Sequence, residues 1–144
     1  MAEYDDLDKV IDRYHVALDA FFHGDPELAK ATFSHGDDVS LANPFGPPAV
    51  GWRRVAETMA RAAANYRDGG ATGFERLTAY ETPGLAYIVE IEHYETKVGG
   101  RDDISRVELR VTTILRPESA GWKIVHRHAD AITTTQPAES VIQG

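Results

Sequence analysis

Two histidines and an aspartate occupy alternate positions near the end of the chain, where they could perform acid–base chemistry. His126, His128 and Asp130 continue an alternation that begins with Trp122 and Ile124. Alternate side chains of a β-strand point to one face of the sheet, so we expect these five to share a face. An imidazole exchanges a proton near neutral pH, and a neighbouring carboxylate can orient it. The pattern is typical either of an acid–base pocket or of the solvated polar end of an edge strand.

Polar side chains also alternate along the two preceding strands. If even-numbered residues stay in phase through both turns, Glu90, Glu92 and Arg110 join the histidines and the aspartate on one face; a single β-bulge would reverse this. In one interpretation this face is solvated, and its ion pairs contribute roughly 0.2–1 kcal/mol each. In the other it lines a cavity, and the apolar face becomes a subunit interface. The apolar face includes Val107, Leu109 and Val111.

Three residues elsewhere could contact a ligand. Tyr14 lies on the apolar stripe of a helical segment, so its hydroxyl either faces a cavity or is satisfied within the core. Asn43 precedes Pro44, a position that suits a turn as well as a pocket. Trp52 could form a pocket wall or anchor the core. We expect Trp52 and Trp122 to be mostly buried.

Composition limits the classes of partner and compartment. The 144 residues suit one domain, and the net charge of -8 argues against nucleic acid or an anionic membrane as the main partner. The absence of cysteine excludes disulfides and thiolate chemistry. No apolar run approaches the roughly 20 residues of a membrane span, and the N-terminus does not resemble a secretory signal. We therefore expect a cytoplasmic protein.

Periodicity predicts an α+β domain. Helical spacing covers residues 7–22, a short stretch after Asp25 and Pro26, and residues 52–66. A short strand is predicted at 39–43, and four strands joined by short turns follow at 74–81, 86–97, 104–116 and 122–133. We expect a single domain at 1–134, with three N-terminal helices packed on a curved antiparallel sheet, and a polar tail at 135–144.

Two local segments resemble a known superfamily. The residues Asn43-Pro44-Phe45-Gly46 followed by Gly51-Trp52 resemble the segment of SnoaL-like proteins that leads into the third helix. Arg110-Val111-Thr112 and the later run from Trp122 to His128 resemble the last hairpin of ketosteroid isomerase-like proteins and of calcium/calmodulin-dependent kinase II association domains. Both groups belong to the nuclear transport factor 2-like superfamily. The resemblance covers roughly residues 5–133.

The resemblance implies a cone-shaped fold with a pocket between the helices and the concave face of the sheet, and a homodimer formed through the sheet. It implies a small-molecule pocket, as in a cofactor-independent isomerase, cyclase or hydrolase, or else a non-catalytic binding or assembly module. In such a pocket, acid–base catalysis would use His126, His128 or Asp130. Tyr14 and Asn43 would donate hydrogen bonds to the ligand, and Trp52 would form a wall of the pocket. Arg110 would hold an anionic group, and we expect it to pair with Glu90, Asp130 or a bound anion. We expect no metal site and no cofactor.

Overall fold

Within residues 6–144, three α-helices form one layer of the fold. The computed structural model describes residues 6–144, and the helices are α1 (Leu7–Phe21), α2 (Glu27–Thr32) and α3 (Trp52–Ala63). Asp6 caps α1, where its Oδ1 accepts from the Lys9 amide at 2.9 Å. The apolar stripe of α1 is buried from Leu7 to Leu18, as its spacing predicts. No helix of the described residues is both long and apolar enough to cross a membrane.

A six-stranded mixed sheet forms the other layer. Its strands follow the order β2-β1-β6-β5-β4-β3, and all neighbours are antiparallel except β1 and β6, which are parallel. The predicted α+β class and the meander of the last four strands are confirmed. The bounds are β1 (Ser40–Ala42), β2 (Ala49–Val50), β3 (Tyr66–Glu81), β4 (Ala86–Val98), β5 (Ser105–Glu118) and β6 (Gly121–Asp130), with a short 3-10 helix at Ala138–Val141.

The first long strand starts eight residues earlier than its sequence indicates. The glycines after Asp68 suggest a break, but β3 passes through them with register shifts at residues 67–70 and 71–73. A side chain at Gly69 would place its Cβ 2.1 Å from the Glu95 carbonyl oxygen, so glycine is needed for the strands to approach this closely. The short strand β2 was not predicted, and β6 ends at Asp130 rather than 133.

The register between β4 and β5 overturns the predicted shared face. Glu90 pairs with Val111 and Glu92 with Leu109, so even-numbered residues of β4 lie beside odd-numbered residues of β5. Directly paired residues share a face of the sheet. Glu90 and Glu92 therefore lie on the inner face, toward the helices, whereas Arg110 lies on the outer face.

A bulge in β6 breaks the alternation of the last strand. Leu115 pairs with Ile124, but the adjacent Ile114 pairs with His126, so one extra residue of β6 stands between the two pairs. Ile124 is fully buried on the inner face, whereas His126 lies on the outer face beside Ile114. The prediction that Trp122, Ile124 and the two histidines share one face is wrong for this reason.

The residues expected at a subunit interface belong to the core instead. Leu109 and Val111 are 3% and 2% exposed, and Val107 packs against the same core. The apolar face of β5 thus meets the helices and not a second subunit. Trp52 and Trp122 are half-buried at the edge of this core, less than the sequence suggests.

Candidate functional site

A buried ion pair lies at the centre of the inner face. Arg127 of β6 contacts Glu92 of β4 through two parallel hydrogen bonds, from Nη1 to Oε2 at 2.7 Å and from Nη2 to Oε1 at 2.8 Å. Arg127 Nη1 also donates to the Tyr14 hydroxyl at 2.5 Å, and the Tyr94 hydroxyl donates to Glu92 Oε1 at 2.6 Å. The Tyr14 hydroxyl lies 3.1 Å from Thr113 Oγ1. This geometry is the two-pronged recognition of a carboxylate by arginine, and it ties α1 to three strands.

Two donors beside this network have no hydrogen-bond partner among residues 6–144. Arg127 has five N–H groups, and its Nε–H makes none of the hydrogen bonds above. The Tyr66 hydroxyl likewise makes none within the described residues. Because no fully buried side-chain nitrogen or oxygen there lacks a partner, both atoms must be accessible. The space that both residues line is an interior cavity.

The cavity lies between the three helices and the inner face of the sheet. Its walls are largely apolar, from residues such as Leu18, Phe22, Phe33, Met59 and Leu109. All the space between the lining residues, with the open solvent at the mouth included, is about 500 Å³. The enclosed part in which the centre of a water molecule fits is about 40 Å³, enough for a few waters.

Burial and charge keep the polar groups of the cavity protonated. Desolvation raises the pKa of Tyr14 to about 12, although Arg127 acts against it. Desolvation likewise raises the pKa of Tyr66 to about 12. Burial would lower the pKa of Arg127, but the Glu92 carboxylate raises it well above its usual value. At neutral pH these groups donate hydrogen bonds and do not accept protons.

Of the residues predicted to contact a ligand, Tyr14 and Asn43 line this cavity, whereas Trp52 does not. Asn43 Oδ1 accepts from the Phe45 amide at 2.9 Å, the turn geometry expected before Pro44. The Trp52 ring stacks on His35, with ring centroids 3.8 Å apart. Trp52 therefore packs at the start of α3 and does not form a wall of the cavity.

Glu90 lies on the inner face but is already satisfied by two partners. Its Oε1 lies 2.7 Å from His15 Nε2, and its Oε2 accepts from Arg76 Nε at 2.9 Å. Burial acts to raise the pKa of Glu90, yet the hydrogen bonds from His15 and Arg76 lower it. The His15 ring stacks on Phe74 at 3.9 Å. This cluster lies next to the Tyr14 network and does not line the cavity.

The four remaining candidates lie together on the outer face, away from Tyr14. Arg110 makes two hydrogen bonds to Asp130, at 2.9 and 2.8 Å, and its side chain is 52% exposed. His128 Nε2 lies 3.3 Å from Asp130 Oδ2. His126 Nδ1 lies 2.7 Å from Ser40 Oγ, and burial lowers its pKa. The expectation that these residues face Tyr14 across a cavity is wrong; the pairing of Arg110 with Asp130 is confirmed.

Comparison with known proteins decides the family. The model of the SnoaL-like domain matches residues 8–133. The chain belongs to the SnoaL-like domain family. No curated protein sequence matches it.

Solved structures of other proteins share the fold of this SnoaL-like domain, and two of them illustrate the likeness. A nuclear transport factor 2-like superfamily protein from Salmonella enterica subsp. enterica serovar Typhimurium str. LT2 is 20% identical, with 91% of this chain and 92% of that chain covered and a TM-score of 0.74. A ketosteroid isomerase-like protein from Erwinia carotovora atroseptica SCRI1043 is 18% identical, with 89% and 95% covered and a TM-score of 0.72. At these identities the likeness shows the fold alone.

The residues at the centre of the SnoaL-like domain's cavity were largely missed in the sequence. Arg127 stands between His126 and His128, so simple alternation assigns it to the face opposite the presumed pocket. Tyr66 reads as the end of a helix because glycines follow it. The one available signal was Glu92, a carboxylate within an apolar alternation, since a buried carboxylate requires a cation.

Proposed function

We propose that this SnoaL-like domain binds a small, mostly apolar molecule that carries a neutral oxygen acceptor, such as a carbonyl group. The observation that carries this proposal is the pair of accessible donors, Arg127 Nε and the Tyr66 hydroxyl, in an otherwise apolar cavity. An apolar cavity with a few polar groups is typical of sites that bind and orient small molecules.

The charge balance favours a neutral acceptor inside the cavity over an anion. Glu92 already neutralises Arg127 through two short hydrogen bonds. An anionic group placed beside them would lose its hydration and meet the Glu92 carboxylate. A carbonyl oxygen has no charge to desolvate and can accept from both donors.

A matched pair of probes tests this proposal. Acetophenone and ethylbenzene have similar shapes, but only acetophenone carries a carbonyl oxygen. Tyr66→Phe removes one hydroxyl and keeps the ring contacts with Phe22 and Phe45. We expect both probes to bind the wild-type protein, and Tyr66→Phe to weaken only acetophenone, by about 1 kcal/mol.

Binding can be measured by NMR titration, with Tyr80→Phe as control, because the Tyr80 side chain is exposed on β3, outside the cavity lining. Failure of both probes to perturb the signals of cavity residues would refute the proposal. Equal weakening of both probes by Tyr66→Phe would refute the role of the hydroxyl.

An isomerase-type reaction is the second candidate, because two donors that line one cavity could also stabilise an oxyanion. Proton abstraction requires a base, whereas Tyr14, Tyr66 and Arg127 are held protonated. We therefore favour binding without turnover. Accelerated exchange of the methyl protons of acetophenone in D2O, followed by NMR, would decide for the enzyme.

We also propose a homodimer formed through the outer face of the sheet. This face carries a row of half-buried apolar side chains, Tyr87, Val89, Ile91 and Ile114. The Arg110–Asp130 pair lies in the same register as Ile91. An apolar row edged by paired charges has the composition of a protein interface.

A further inference from the structure

A surface groove adjoins the cavity at its mouth. The groove lies between α3 and the loop of residues 43–48, and Asn43, Phe45 and Ala62 line both spaces. Phe45 is 51% exposed and lines both of them. The space for water centres in the groove is about 180 Å³, larger than that enclosed in the cavity. A molecule too long for the cavity would therefore extend past Phe45 into this groove.

The groove is more polar than the cavity and contains an unpaired cation. Thr58, Arg61 and Asn65 line it. The Arg61 guanidinium makes one long hydrogen bond, from Nη2 to Thr58 Oγ1 at 3.4 Å. Within the described residues Arg61 has no ion pair, whereas every arginine on the strands pairs with a carboxylate.

Local charge supports an anion at this place. The whole chain has a net charge of -8, but α3 carries three arginines and one glutamate. Arg61 lies in the last turn of α3, where the helix end is partly negative, so the attraction for an anion must come from the guanidinium and not from the helix end. The Arg61 guanidinium can bind an anionic ligand, because it forms no ion pair with a carboxylate of the described residues.

We propose that the ligand is amphipathic, with an apolar body inside the cavity and an anionic group, such as a carboxylate, bound by Arg61 in the groove. This inference rests on the proposed function, since it requires the cavity to hold the apolar body. The inner end of the cavity offers no net positive charge to a carboxylate, because Glu92 already neutralises Arg127. The anionic end therefore points outward, past Phe45, to Arg61.

A series of phenyl-substituted chains tests this orientation. Phenylacetate, 3-phenylpropanoate, 4-phenylbutanoate and 5-phenylpentanoate are each compared with the alcohol of the same length by isothermal titration calorimetry at low salt. We expect the shortest acid to bind no better than its alcohol, because its carboxylate cannot leave the cavity. The longer acids should bind about two- to fivefold more tightly than their alcohols, the gain expected for an exposed ion pair.

Two variants of equal charge separate a specific contact from the general field of the helix. Arg61→Gln should abolish the gain of the longer acids and leave the alcohols unchanged. Arg54→Gln, at an exposed position of α3 outside the groove, should preserve most of the gain. In 0.5 M NaCl the gain should shrink in the wild-type protein.

The outcomes distinguish this inference from the proposed function. Binding of the alcohols without any gain for the acids, or a gain that survives Arg61→Gln, overturns the Arg61 site and leaves the cavity as the binding site. Equal loss in Arg54→Gln and Arg61→Gln overturns it too, because only the general field would then act. If neither acids nor alcohols bind, the proposed function itself fails.

Discussion

The buried pair of Arg127 and Glu92 provides a direct test of the packing beneath the cavity. Arg127→Met keeps an unbranched apolar chain but leaves the Glu92 carboxylate, which is 0% exposed, without its cation. Only the Tyr94 hydroxyl still donates to it. Removal of one partner of a buried pair costs about 3–5 kcal/mol. We expect Arg127→Met to lower the free energy of unfolding by this amount at pH 8.

The loss should be smaller in acid, because an isolated buried carboxylate takes up a proton. In Arg127→Met the Glu92 carboxyl group is buried without a cation, and burial of this kind favours the neutral form of a carboxyl group. Such a group stabilises the folded state at low pH, and this contribution is lost as the pH rises through the folded-state pKa. Relative to wild type, the variant should therefore be less destabilised at pH 5 than at pH 8.

A second substitution provides the control. Glu92→Gln in the Arg127→Met background removes both charges and keeps an amide oxygen that the Tyr94 hydroxyl can reach. We expect it to recover about 2–3 kcal/mol at pH 8 and to abolish the pH dependence that comes from Glu92. Urea denaturation at fixed protein concentration, followed by tryptophan fluorescence, measures all three proteins. A loss below about 1 kcal/mol for Arg127→Met at pH 8, or an equal loss at both pH values, would refute the reasoning.

Three further outcomes are expected. Ile91→Glu should convert the proposed dimer to a monomer in sedimentation velocity experiments, whereas Val16→Glu, at a position of α1 that is 62% exposed, should not; a dimer that survives Ile91→Glu would rule out this interface. Leu109→Ala should lower the free energy of unfolding by about 2–5 kcal/mol without changing the oligomeric state, because Leu109 is a core residue. Urea denaturation measures the loss of stability, and sedimentation velocity measures the oligomeric state. A loss near zero would contradict the burial of Leu109. Burial lowers the pKa of His126 below 6.5, so the contribution of this histidine to stability should decrease as the pH falls through 6.5 toward the folded-state pKa. His126→Gln should therefore flatten the plot of unfolding free energy against pH in this range. An unchanged plot would contradict this expectation.

Much of the architecture is determined by local patterns in the sequence. The helical spacing from Leu7 to Leu18 leaves one apolar stripe, which can be buried only against another layer. Short turns between the last four strands force neighbouring strands to be antiparallel. Together with the Asn43-Pro44-Phe45-Gly46 segment, these patterns were enough to identify the superfamily and the expected cavity.

The tertiary structure alone decided which side chains face that cavity. Strand alternation has a period of two, so a shift of one residue in register reverses every assignment. Odd-numbered residues of β4 pair with even-numbered residues of β5, and Arg110 therefore lies on the outer face. Because of the bulge in β6, His126 and His128 lie on the outer face and Arg127 lies on the inner face. These shifts depend on how whole strands align, which no local pattern encodes. The buried pair of Arg127 with Glu92, and hence the chemistry of the cavity, follows from that alignment.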